Sequence, residues 1–209
     1  MLRVGWDNGM NGAVVAIDDR YQVVYQSAMP VTEIGVRRKT RSWDERARKA
    51  SLEGKPIPAK TTKGKKRVID EHGVAEIFAH LMTIDRDLFV VVEQAAPGRN
   101  DSVGSAFAYG DAFGAVRGVL AALGVAYEVV GPKVWQNVLL KGMLGDDTKA
   151  KSVQRSRTSL PTLDLTPGRK RKPDEGLADA GCMALYAAHL RPPAKPEGTG
   201  TRIMPPPPR

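Results

Sequence analysis

Carboxylates at three separated places are the residues here with chemistry to offer. Asp7 follows a short apolar run in "LRVGWDNGMNGAVVAID" and is itself followed at once by Gly9 and Gly12. Glu93 follows "LFVVV", a stretch apolar enough to be a strand buried on both faces. Glu175 and Asp179 stand four apart in "PDEGLADAGCMALYAAHL", which puts them on one helical face, with Asp174 at the N-cap position. Carboxylates gathered a few ångströms apart repel and raise one another's pKa unless a cation lies among them. Oxygen-only ligands select Mg²⁺ or Mn²⁺ over zinc, and a pair of such ions is a known device for in-line attack of water on a phosphodiester. No histidine or serine nucleophile is needed for that chemistry. Each acid also has a plainer use. Asp7 could cap a turn, Asp174 could cap a helix, and Glu175 and Asp179 could form a solvated first turn that complements the helix dipole. Their combination and order favour the metal-binding reading.

The elements that must position these groups are legible from periodicity. Residues 2–7, 12–17 and 20–26 alternate or run as β-branched strands between "NG" and "DDR" turn signals, and so read as an antiparallel three-strand meander. "VIDEHGVAEIFAHLMTI" has apolar residues at helical spacing, and residues 88–94 form the buried strand that carries Glu93. A glycine-studded helix pattern, "SAFAYGDAFGAVRGVLAALG", precedes a further strand, "VAYEVV", and a helix with Pro132 in its first turn. "DDTKAKSVQRSRTSL" has acids early and bases late, which suits a helix and its dipole, and the terminal helix occupies residues 173–190. The expected fold is α/β: a mixed five-stranded sheet, three antiparallel strands then parallel ones, with helices on both faces. In such sheets reactive groups gather at the carboxyl ends of central strands, where Asp7 and Glu93 fall.

Composition bounds the setting. With 209 residues, 42% of them hydrophobic, the chain suits one core, and residues 1–191 are read as a single domain. The single cysteine, Cys182, excludes an internal disulfide framework and a Cys-rich zinc site. No run of eighteen apolar residues and no signal-peptide pattern is present, so a cytoplasmic protein without membrane insertion is expected. The net charge of +9 favours a polyanionic partner. Residues 37–67 hold thirteen Lys or Arg against three acids, and are read as a mobile basic insertion in which Trp43, stranded among cations, suits base stacking. Residues 192–209, rich in proline, are read as a disordered tail.

Four blocks in order resemble the RuvC-like Holliday junction resolvases of phages and bacteria, within the RNase H-like superfamily. "GWDNGMNGAVVAID" looks like the family's first-strand motif, and the fifty residues from "VVVEQAAPGRND" to "GPKVWQNVL" are similar to its second block. "DDTKAKSVQRSRTSLP" resembles the Lys-rich helix that follows, and "KPDEGLADAGCMALYA" the terminal pattern of an acid, Gly, two residues and Asp-Ala. The resemblance implies that Asp7, Glu93 and Asp179 are catalytic metal ligands for two Mg²⁺ ions, replaceable by Mn²⁺. It places Glu175 where the family usually has Asp, and Asp174 where it often has His, leaving the fourth ligand open between them. Asn8 replaces a common Pro, and Gln136 stands where Lys is frequent. Arg99, Lys133, Lys149, Lys151, Arg155 and Arg157 are expected along the path of the DNA backbone. The implied activity is that of a crossover junction endodeoxyribonuclease, a homodimer without a small-molecule cofactor that resolves four-way DNA junctions in recombination or repair. The alternatives are an RNase H-like nuclease for flaps, forks or RNA–DNA hybrids, and a catalytically silent branched-DNA-binding protein.

Overall fold

A computed structural model of the chain describes residues 1–39, 43–59, 61–94, 102–168 and 171–190. The elements begin with β1 (Leu2–Trp6), β2 (Ala13–Ile17), β3 (Val23–Ala28) and β4 (Val31–Lys39). Next come α1 (Trp43–Leu52), β5 (Thr61–Ile69), α2 (Glu71–Ile84), β6 (Leu88–Glu93) and α3 (Val103–Ala122). β7 (Ala126–Val130), α4 (Pro132–Leu139), α5 (Thr148–Ser159) and α6 (Glu175–His189) complete the chain order. Two compact units result, Met1–Pro30 with Ile69–Arg209, and Val31–Val68.

The larger unit is built on a five-stranded sheet in the order β3-β2-β1-β6-β7. β1 pairs antiparallel with β2 and parallel with β6, which pairs parallel with β7, so the expected meander and parallel extension are both present. The third strand begins at Val23 rather than at residue 20, after a register shift opposite Ala16 and Ile17. All of β2 and the run Leu88–Val92 of β6 are buried, as continuous apolar strands require when both faces are covered. Each fully buried Val or Ile there contributes about 1.5–3 kcal/mol. Alternation along β1 shows the two layers. Trp6 stacks on Phe78 of α2 with ring centroids 5.0 Å apart, whereas Gly5, on the opposite face, lies directly under α6. Among the described residues no helix is long and apolar enough to cross a membrane.

The smaller unit contains the basic stretch and gives it secondary structure. The basic stretch read as a mobile arm holds β4 and β5, paired as a two-stranded sheet, and the helix α1. Its low apolar content is real, since α1 buries none of its residues. Backbone hydrogen bonds close strands and helices without apolar side chains, so a reading from burial alone misses them. Asp44 and Glu45 in the first turn of α1 and Lys49 in the last complement its dipole. Trp43 is half-buried, its Nε1 donating to the Pro58 carbonyl at 2.9 Å. The expected disordered tail lies outside the described residues.

Candidate active site

The register of the central strands aligns the first two acids. β1 and β6 pair with Trp6 opposite Val92, so one residue further on Asp7 is level with Glu93, on strands spaced by about 4.8 Å. Gly5 faces α6 and Val91 belongs to the core that α6 completes, so alternation directs Asp7 and Glu93 to the α6 side. The Asp7 N–H donates to the Ala13 carbonyl at 3.0 Å, and its Oδ1 accepts from the Gly9 N–H at 3.2 Å. Asp7 therefore does cap its turn through Oδ1. Gly12 is required by this turn, because a Cβ there would sit 2.2 Å from the Asp7 carbonyl oxygen.

Glycines also fix the terminal helix. A Cβ at Gly176 would lie 2.6 Å from the Asn11 carbonyl oxygen, and one at Gly5 would lie 2.0 Å from that of Ala180. Only bare backbone allows the first turns of α6 to rest on the β1–β2 turn and on β1 itself. Asp174 caps this helix through the Leu177 N–H at 3.1 Å. Asp179, the residue before Ala180, is thereby held over the strand tips with its side chain 13% exposed. Buried small residues then bring α5 close to α6: Ser156 Oγ donates to the Ala178 carbonyl at 2.8 Å and lies beside Gly181. That packing delivers Lys149, whose Nζ stands 3.1 Å from Asp179 Oδ2 and 3.6 Å from Glu175 Oε2.

Electrostatics join these groups into one neighbourhood. Burial, reinforced by the Asp179 charge and opposed by the Gly9 N–H, pushes the Asp7 carboxyl up to about 6. Burial and then the Asp7 charge push Glu93 up to about 7, against the lowering effect of Trp135, whose Nε1 donates to Glu93 Oε1 at 2.9 Å. Burial disfavours the charged Lys149, but the Asp179, Asp7 and Glu175 charges outweigh it and leave its pKa raised. Asp179 Oδ1 is buried and has no hydrogen-bond partner among the described residues. As arranged here, no three acidic, histidine or cysteine side chains among the described residues are grouped closely enough to hold one ion, and the cation among them is Lys149. The donor chemistry still fits a hard divalent cation: the ligands are all oxygen, two resist ionising together, and one buried oxygen is unpartnered.

Asp7, Lys149, Asp174 and Glu175 open onto a cleft of about 1030 Å³ between the β1–β2 turn, α3 and the start of α6. Arg171 and Lys172 line it too. The reading from sequence overlooked both, although the run "RKRK" directly before the terminal motif signals them. Of the expected DNA-contacting residues, Lys133 and Arg157 are exposed and Lys151 borders a smaller polar hollow with Gln136 and Thr148. Arg155 Nε is committed to the Leu139 carbonyl at 2.6 Å, where it ties α5 to α4. Arg99 lies outside the described residues. Cys182 is buried, and burial pushes its thiol up to about 12.

No protein-family model matches the sequence, and no curated protein matches it. A solved structure does match the fold. The structure of Thermus thermophilus RuvC in complex with a Holliday junction substrate aligns at 17% identity with a TM-score of 0.51, over 90% of this chain and 92% of that one. A second Thermus thermophilus RuvC structure aligns at 18% identity and a TM-score of 0.46, over 90% and 93%. With a sheet of three antiparallel strands extended by parallel ones, and helices on both sides, the chain has the RuvC-like form of the RNase H-like α/β fold.

Proposed function

We propose that the protein is a metal-dependent endonuclease that cuts branched DNA, four-way junctions above all, as a homodimer acting in the cytoplasm. One observation carries this reading: Asp7 and Glu93, from adjacent strand tips, share an electrostatic neighbourhood with Asp179 of the terminal helix, and Asp7 opens onto a cleft also lined by Lys149, Arg171 and Lys172. The fold adds support, because the matched Thermus thermophilus RuvC is bound to a Holliday junction substrate.

Asp7, Glu93 and Asp179 are the residues that would hold two Mg²⁺ ions. Glu175 is favoured over Asp174 as the fourth ligand, since Asp174 already accepts the Leu177 N–H while Glu175 is mostly exposed and faces only Lys149 at 3.6 Å. Bound there, divalent ions would lower the pKa of an attacking water and offset the charge forming on a leaving 3′ oxygen. Trp135 holds the Glu93 carboxylate in place, and the Gly9 N–H does the same for Asp7. Lys149, Arg171 and Lys172 at the cleft, with Lys133 and Lys151 further out, would meet DNA phosphates.

The position of Lys149 also favours a second reading, in which the lysine is the resident cation and the protein binds branched DNA without cutting it. A synthetic four-way junction incubated with Mg²⁺, Mn²⁺, Ca²⁺ or no metal, with cuts mapped to the nucleotide, separates the two. Symmetric nicks with Mg²⁺ or Mn²⁺ alone are expected. Tight junction binding with no nicks in any metal would select the silent binder, and preferential cutting of flaps, forks or RNA–DNA hybrids would reassign the substrate.

A further inference from the structure

All of the chain's excess charge lies in one of its two units. Val31–Val68 holds thirteen Lys or Arg against four acids, a balance of +9, while the remaining residues hold nineteen of each. The Asp70 N–H donates to the Pro30 carbonyl at 3.1 Å, so the segment enters and leaves through adjacent backbone. It is an insertion on a closed neck, carrying charge that the sheet and its carboxylates do not need.

The described part of this unit has the features of a surface made for a polyanion. α1 buries no side chain, and Arg46, Arg48 and Lys49 are exposed. At about 100° per residue these three ring much of the helix instead of forming one stripe. A ten-residue helix whose Trp43, Ala47 and Ala50 face is only half-buried is marginal in water, and Asp44 and Glu45 offset part of the charge of its three cations, leaving it at +1. The unit's remaining acids relieve little of its +9 balance. Glu53 meets Lys49 and Lys55, and Glu33 meets Lys65, in exposed pairs of the kind that contribute least. Duplex DNA would relieve it: a helix about 15 Å long runs alongside roughly nine phosphate charges.

We propose that Val31–Val68 is a second DNA-gripping surface, separate in its residues from the cleft, that holds a duplex arm of the substrate through phosphates and without reading sequence. The choice of DNA as the polyanion rests on the nuclease reading above. Exposed Leu52 and Ile57, 80% and 62% accessible, would suit an anionic lipid surface as well, and the test includes that arm.

Full-length protein and its R46Q/R48Q/K49Q variant are titrated with a linear duplex and a four-way junction in Ca²⁺ between 50 and 200 mM salt. The variant is expected to lose about 2–3 from the slope of log affinity against log salt, and at least tenfold in affinity at the upper salt, on both DNAs. Cleavage at saturating DNA in Mg²⁺ should not change, and R46K/R48K should keep the original slope. If the triple variant does not melt cooperatively, R46Q and R48Q singly should each remove about one from the slope. An unchanged slope in folded protein overturns the proposal. So does triple-variant loss of binding to phosphatidylserine vesicles with DNA affinity intact. Failure of the unaltered chain to cut any DNA, with the slope effect present, would overturn the nuclease reading and leave this surface standing.

Discussion

Glu93 is the residue where charge and shape can be separated. Glu93→Gln keeps a carbonyl oxygen for the Trp135 Nε1–H and removes the negative charge beside Asp7 and Asp179. Cleavage should fall by roughly 10³-fold or more while junction binding stays within a few fold, because the lost charge would hold a divalent ion and does not grip DNA. Single-turnover cleavage and equilibrium binding on the same junction measure the two. The raised carboxyls at Asp7, about 6, and Glu93, about 7, also set a stability profile. In the unfolded chain both ionise near pH 4, so between about pH 4 and 7 the folded protein binds more protons and its stability falls as pH rises. Metal-free protein should therefore melt on the order of 5 °C lower at pH 8 than at pH 5. Added Mn²⁺ should restore more of the melting temperature at pH 8, where protons no longer compete for the ligands. Metal-free scans that are flat across this range, or an Mn²⁺ gain that is larger at pH 5, would contradict the coupling of these carboxylates.

α6 depends on the absence of a side chain at Gly176. A Cβ 2.6 Å from the Asn11 carbonyl forces the helix away from the β1–β2 turn. Gly176→Ala should cost about 1–3 kcal/mol in urea unfolding and depress cleavage further than that loss explains, since Asp179 moves with the helix. Equal stability and activity would mean that the helix sits elsewhere. This element was legible in the sequence, as were the strands that carry Asp7 and Glu93, because all three write burial into composition: "LFVVV" cannot be a surface segment, and glycine beside an acid marks close backbone approach. β4, α1 and β5 left no such record. β4 and β5 pair backbone to backbone in a Lys- and Arg-rich stretch, α1 closes its own backbone bonds, and hydrophobic periodicity is silent where little is buried. The carboxylate set was visible as residue types in order, but not what stands among them. Nothing in "DDTKAK" distinguishes a lysine bound for Asp179 from one bound for solvent; that follows from Ser156 and Gly181 letting α5 approach α6. Arg155, similarly, reads as a free cation until its bond to the Leu139 carbonyl is seen.

At the scale of the whole molecule, one active site cannot cut both strands of a symmetric junction in a concerted way, so the proposed activity calls for two copies related by a two-fold axis. We propose α3 as the surface. Val103 and Phe107 are 88% and 70% exposed, and Gly110, Gly114 and Gly118 follow at helical spacing with open space where a Cβ would point. A shallow hollow is bordered by Phe107, Gly110 and Gly114, large beside small, as a self-complementary helix pair requires. The same openness makes the prediction sharp. Gly114→Ala meets nothing within its own subunit and should raise intrinsic helix stability by about 0.5–1 kcal/mol, whereas Gly114→Leu should block a second α3 from approaching. Sedimentation should therefore show a dimer for the unaltered chain and a monomer for Gly114→Leu at micromolar concentration. The monomer should still nick single strands with Mg²⁺ but lose the simultaneous pair of cuts, seen as nicked intermediate accumulating on a cruciform plasmid. If Gly114→Leu stays dimeric and keeps paired cutting, α3 is not the interface. If the unaltered chain is a monomer that cuts in pairs, the two-fold requirement itself fails.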